Sequence, residues 1–299
     1  MKDKGLPLMV LLLVFVLAGC GVSLRGYERF DYLKGSPGKE FPKKVLWLKI
    51  QNQGPYEPEQ LEGFQNSMLG QMKGYKEIQL TQIQALDKER LLFDEKKGKF
   101  SIPEALKEQA KKEGVVAVIQ VTLVSPTVDV RRTGVWPLRK TKMFVAVGAR
   151  IVALDLIGET VIINQVERQE VPFYYDPVAE EDPTLYQEAL EKASKKLTKK
   201  VSKVMAENLK DRPWVATVTE VKEKMVSIPV GRSHGIKTGQ EFYAYERSEE
   251  IKAFDGRTYP VWGKRIATLR VKEVQQDKSI LEVISGSEVS EGHLLRLIR

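Results

Sequence analysis

Few side chains in this chain are equipped for chemistry. Among 299 residues there is one cysteine, Cys20, and there are two histidines, His234 and His293. A single thiol can form no internal disulfide, and in an exported chain it asks for an explanation of its own. Both histidines stand beside glycines of turn-like segments, Gly235 and Gly292, and read as exposed turn residues. Neither has the spacing of a metal ligand set. Glu180, Glu181 and Asp182 precede a long helical pattern, where negative charge suits a helix N-terminus without any bound cation. Gly35 and Gly38-Lys39 lack the spacing and the preceding strand of a phosphate loop. No nucleophile with a base and no metal set can be nominated, so the expectation is a protein that is not an enzyme, with no cofactor and no small-molecule substrate.

Cys20 is explained by what precedes it. Lys2 and Lys4 open the chain, an apolar run follows from Leu8 to Leu17, and the small residues Ala18 and Gly19 lead to the cysteine. This is the order of a secretion signal, and the run is shorter than the roughly 20 apolar residues a spanning helix needs. Leu17-Ala18-Gly19-Cys20 resembles the lipobox of bacterial lipoproteins. The resemblance implies a diacylglyceryl thioether on Cys20, cleavage ahead of it and N-acylation, with residues 1–20 as signal peptide and lipobox. Two or three acyl chains, palmitate among them, suffice for stable anchoring where one would not. Gly21, rather than aspartate, follows Cys20. By similarity to lipoprotein sorting in Gram-negative envelopes, this implies the periplasmic side of the outer membrane.

Without residues 1–19 the chain carries 46 basic and 39 acidic residues, a net +7. An excess of that sign suits nucleic acid, an anionic membrane or an acidic partner, and export argues against nucleic acid. The remaining length suggests two domains.

Gly26, Gly35, Pro37, Gly38 and Pro42 make 21–44 a tether. Over 45–210 the periodicity changes repeatedly. Val45 to Ile50 suits a buried strand, and Pro58 opens a helix with Leu61, Phe64, Met68, Leu69 and Met72 at helical spacing. Tyr75 to Thr81 alternates as a strand does. Ser101, Pro103 and Glu104 read as a capping box before a helix that ends at Gly114. Val115 to Val124, Met143 to Leu156 and Thr160 to Val171 are further strands. A long helix closes the unit, with Tyr186, Leu190, Ala193, Leu197, Val201, Val204 and Met205 on one face. This order predicts an α+β domain, a mixed sheet with helices packed on one face.

After Asp211-Arg212-Pro213 the chain breaks into short β segments separated by glycines, which predicts a small barrel over 213–299. The stretch from Ile228 to Phe242 places Gly231, Gly235 and Gly239 around a turn that leads into Phe242. It resembles the C-terminal domain of flagellar assembly protein T, whose strands and glycine turns form an SH3-like barrel. Gly263 to Ala267 and Ser290 to His293 are similar to its later strands and turns. The element order of 45–210 is similar to the middle domain of that family, to the curli secretion lipoprotein and to the N-terminal domain of the Tol–Pal translocation protein.

Two surfaces stand out as places for a partner or a membrane to touch. One is the segment Ser125 to Lys142, where Trp136-Pro137 is flanked by basic residues that include Arg131 and Arg132. The other is the polar face of the long helix, with Lys192, Lys196, Lys199 and Lys203. Phe173-Tyr174-Tyr175 is a further candidate. Together these readings favour a non-enzymatic envelope lipoprotein that meets other envelope proteins, self-associates as a homo-oligomer, and builds an assembly such as a flagellar ring. A curli-like secretion channel is the alternative. It would need spanning strands of about 9 to 11 residues with a clean apolar face, and the 125–142 segment is too rich in charge for that. An envelope hydrolase or glycan-binding module is the third reading.

Overall fold

In a computed structural model the structure describes residues 41–83, 89–94, 99–157, 160–173, 183–210, 214–252 and 258–298. The expectations for residues 1–40, acylation of Cys20 among them, fall outside the described residues. So do those for Tyr174, Tyr175 and the acidic cluster at 180–182.

The first unit runs β1 (Lys43–Trp47), β2 (Gln51–Gln53), α1 (Pro58–Met72), β3 (Ile78–Thr81), β4 (Leu92–Asp94), β5 (Lys99–Ser101), α2 (Glu104–Lys112), β6 (Ala117–Thr133), β7 (Lys140–Asp155), β8 (Val161–Phe173) and α3 (Pro183–Lys210). Its main sheet has the order β3-β1-β6-β7-β8, with β2 beside β6. The first strands pair in parallel, while β6, β7 and β8 are antiparallel. The sheet is therefore mixed and the class α+β.

Alternation along each strand decides what lies on either face. Val45, Trp47, Ile119, Val121, Ala149 and Ile151 pack with Phe64 and Met68 of α1 and with Ala193, Leu197 and Val201 of α3. Their neighbours Leu46, Leu48, Val118, Val152 and Leu154 point the other way and meet Leu106 and Ala110 of α2. The two long helices thus share one face, and the short helix covers the opposite one. Both faces of β1 and of the first half of β6 are buried, as expected for strands of a parallel sheet core.

α1 starts where Pro58 predicts, and the Glu57 backbone N–H donates to Gln60 Oε1 at 3.0 Å. The start of α2 differs from the sequence expectation. Ser101 is engaged in the β4–β5 ladder opposite Leu92, so the helix begins after Pro103 with no side-chain cap.

The second unit runs β9 (Ala216–Thr217), β10 (Glu220–Lys222), β11 (Met225–Ile228), β12 (Glu241–Lys252), β13 (Thr258–Val274), β14 (Ser279–Gly286) and β15 (Leu294–Leu297). They form one sheet in the order β10-β11-β14-β13-β12-β15-β9. The two edge strands, β9 and β10, are separated in the chain only by Val218 and Thr219. Val218 donates to His293 O at one edge, and Thr219 donates to Ser227 O at the other. The sheet therefore curls until its edges meet at one piece of backbone, a barrel-like closure around Phe242, Leu269, Leu281 and Leu295.

The units are stitched closely. Phe41, just ahead of β1, lies in the barrel core with its ring 4.9 Å from that of Trp214. Gly114, at φ +70°, comes so near the second unit that a Cβ there would lie 2.2 Å from Pro229 O.

Candidate functional site

The site begins at an irregularity in the sheet. Between Val124 and Thr127 the β6–β7 register shifts, and Pro126, which cannot donate to a ladder, lies in that bulge. Before the bulge, odd-numbered residues of β6 face the long helices. Beyond it, Val128 and Val130 take that side, opposite Val145 and Met143. The shift sends Asp129 and Arg131 to the other face, where they can stay solvated. There Arg131 Nε donates to Asp129 Oδ2 at 2.6 Å, and its terminal nitrogens donate to both Glu170 oxygens at 3.1 Å. Its guanidinium also lies 4.8 Å from the centroid of the Phe144 ring. The hydrogen bond from Arg131 holds the Asp129 carboxyl below its ordinary range.

β8 reaches Phe173, which pairs with Met143. Beyond that point β6 and β7 continue as a ribbon of three pairs with no third strand among the described residues, Arg131 with Lys142, Arg132 with Thr141 and Thr133 with Lys140. The ribbon ends in a turn in which the Leu138 N–H donates to Val135 O at 2.7 Å across a cis Trp136-Pro137 bond. This is the arrangement of a turn with proline third of four. Val135, Trp136 and Leu138 are 81%, 79% and 80% exposed. From Arg131 to Lys142 there are five basic residues and no acidic one. Arg131 is engaged inside the fold, whereas Arg132, Arg139, Lys140 and Lys142 have no carboxylate within ion-pair distance among the described residues.

The lysines of α3 sit differently. Lys192 pairs with Glu188 at 3.3 Å, Lys195 with Glu191 at 2.6 Å and Lys203 with Glu207 at 3.7 Å. Lys196 and Lys199 are exposed between them. Every large apolar residue of the helix from Leu190 onward belongs to the core cluster, and Leu190 also lines the groove against α1. The candidates named from sequence thus occupy two separate elements, with Trp136, Arg131 and Arg132 on the ribbon and the lysines on the helix.

One expectation for the barrel is corrected. His234 is not an exposed turn residue but is 1% exposed. The turn from Arg232 to His234 is pinned to the β13–β14 turn by bonds from Arg232 N to Gln275 O and from Ser233 N to Gln276 O. A Cβ at Gly231 would fall 2.4 Å from Gln275 O, so the two turns lie close together, with Arg232 exposed and His234 buried. His234 Nδ1 lies 2.9 Å from Ser233 Oγ, and burial, aided by Lys44, holds the ring below its ordinary pKa. His293 caps its own turn, accepting from Ser290 N at 3.0 Å.

Sequence reasoning missed two features. One is the β4–β5 hairpin, whose Phe93 and Phe100 rings lie 4.8 Å apart under the Arg150 guanidinium. Aromatics flanking the Lys97-Gly98 step were the available signal. The other is a groove of about 710 Å³ between α1 and α3, lined by Tyr56, Phe64, Leu123 and Leu190. Burial and then Tyr186 push the Tyr56 hydroxyl up to about 12, so it stays neutral as it donates to Val124 O. Among the described residues no three His, Cys, Asp or Glu side chains are grouped to hold a metal, and no helix is long and apolar enough to cross a membrane.

The curled second sheet, with its glycine turns and Phe242 at its centre, defines a small barrel-like module. Residues 223–291 match the family model for the C-terminal domain of flagellar assembly protein T. No curated protein matches the chain. Solved structures similar to it include a putative neuraminyllactose-binding hemagglutinin homolog from Helicobacter pylori, at 14% identity and TM-score 0.37, covering 60% of this chain and 98% of that one. A minor lipoprotein from Acinetobacter baumannii matches at 8% identity and TM-score 0.33, covering 56% and 94%. A lipoprotein from Neisseria meningitidis matches at 10% and 0.30, covering 56% and 99%. Likenesses this distant carry no argument about this chain. The family match supports a structural or assembly component of the envelope.

Proposed function

We propose that this chain is a non-enzymatic lipoprotein, acylated on Cys20 and held on the periplasmic side of the outer membrane, that serves in a flagellar ring. The observation that carries the reading is the family match over 223–291, which falls within the curled sheet. In this reading the 21–44 tether reaches from the lipid to the fold, where Phe41 is already seated in the barrel core and Lys43 and Lys44 have entered β1. Residues 45–210 dock against envelope proteins or further copies of the chain, and 213–299 make a second protein contact. A domain that meets its neighbour through two different faces closes into a ring when the rotation permits. Among the described residues the ribbon beyond β8 is three pairs long, about 10 Å at strand rise, which favours a docking role over a curli-like channel.

The test is acylation followed by assembly. Labelled palmitate enters the protein, and Cys20→Ser abolishes both the label and the outer-membrane fractionation. Purified protein with its lipid removed migrates as an oligomer or retains envelope proteins. A monomer that retains none defeats the assembly reading.

A further inference from the structure

We propose that the tip of the β6–β7 ribbon is a second membrane contact, one that enters an anionic lipid leaflet to the depth of its headgroups. This deepens the envelope reading by adding a contact made by the fold itself, and it is tested independently of Cys20.

Three observations carry it. Val135, Trp136 and Leu138 are about four-fifths exposed at the outermost turn of the ribbon. Apolar side chains left in water at an extremity gain by leaving it, and tryptophan favours the boundary between headgroups and acyl chains. Behind them Arg132, Arg139, Lys140 and Lys142 form a collar without carboxylate partners among the described residues. Anionic headgroups attract each such cation, strengthening partitioning by about fivefold apiece. The order of the two layers, apolar at the end and cationic behind, matches the order met on entering an anionic leaflet from water.

Size argues for lipid over protein. A stable protein interface takes about 800 Å² from each partner, which the three apolar side chains at the turn do not reach by themselves. Shallow insertion needs only the turn. Spanning is beyond its reach, because a ribbon of roughly 10 Å faces a hydrocarbon core of about 30 Å. The α1–α3 groove, with Glu188 and Glu191 among its lining residues, is the place on a second copy that would compete for the same tip.

The experiment reads Trp136 itself in the full chain, as the difference between its fluorescence and that of Trp136→Phe. The probes are vesicles of phosphatidylcholine alone and of phosphatidylcholine mixed with phosphatidylglycerol, each with brominated acyl chains as quencher. Expected are a blue shift and quenching with the anionic vesicles. The pair Arg139→Gln and Lys140→Gln should weaken that response by about thirtyfold, while Lys196→Gln and Lys199→Gln leave it intact. The signal is local to the tip, so it persists if Cys20 is not acylated, and failure of the lipoprotein reading is distinguishable from failure of this one. The proposal is overturned by unshifted, unquenched emission with anionic vesicles. Equal quenching by phosphatidylcholine alone would also overturn it. So would a shift that needs no vesicles and grows with protein concentration, which would assign the tip to another copy of the chain.

Discussion

The long helix and the β6–β7 ribbon both display lysine or arginine to solvent, yet they are different kinds of surface. On α3 three lysines are matched by glutamates one turn away, and the helix spends its apolar residues inward on the core. On the ribbon, among the described residues, only Arg131 is matched, and the apolar residues of the turn point outward. Positive charge by itself is therefore uninformative. Its meaning comes from whether carboxylates answer it and whether exposed apolar surface accompanies it.

The largest expected effect tests the direction in which each region spends its leucines. Leu197 is fully buried beneath α3, and Leu138 is exposed at the turn. Leu197→Ala should cost about 2–5 kcal/mol of stability through lost burial and the cavity left behind. Leu138→Ala should change stability by about 0.5 kcal/mol or less. Chemical denaturation of the two variants is the measurement. A comparable loss at Leu138 would mean that the turn is structural, and the contrast would collapse.

Much of this contrast was legible in the sequence, and the parts that were not have identifiable causes. The inward face of α3 follows from 3.6-residue spacing, and its observed contacts run from Tyr186 through Met205 to Leu209. The barrel strands follow from glycine punctuation, with Phe242 at the centre. The charged segment 125–142 could be marked as an extension, but its bulge depends on pairing between β6 and β7, which no local pattern encodes. The partner of Arg131 was likewise hidden, because Glu170 lies 39 residues away on another strand. His234 was misplaced because turn glycines ordinarily mark surface. Its burial comes from the turn being clamped to Gln275 and Gln276, more than 40 residues on.

A smaller effect separates matched from unmatched cations by titration. Arg131 depresses the Asp129 carboxyl, and Lys195 depresses that of Glu191. A carboxylate whose pKa is lower folded than unfolded adds stability above its unfolded pKa. That contribution is lost as pH falls through the folded value. Arg131→Gln should therefore raise the Asp129 midpoint toward 3.8, and Lys195→Gln should raise that of Glu191 toward 4.5. Carbon-detected NMR titration of the side-chain carboxyls resolves both. Arg132→Gln and Lys196→Gln should move neither midpoint. A shift of Asp129 in Arg132→Gln would show that the collar is tied into the Asp129 network and is not available to a ligand.

The smallest effect lies in the helix pairs, and its smallness is the point. Glu188 and Lys192 are 3.3 Å apart, with side chains that remain 63% and 64% exposed. Water screens them, and holding two long side chains in one geometry costs rotamer entropy. A double-mutant cycle with Glu188→Ala and Lys192→Ala should return a coupling of about 0.3–0.5 kcal/mol, falling as salt is added. The pairs still matter for recognition, because a lysine answered by its own glutamate has less charge to offer a partner. The double variant Glu188→Gln and Glu191→Gln would unmask the helix without altering its core. If the helix then drew the chain to anionic vesicles as strongly as the ribbon does, charge alone would account for binding, and the exposed turn at Val135, Trp136 and Leu138 would lose its role.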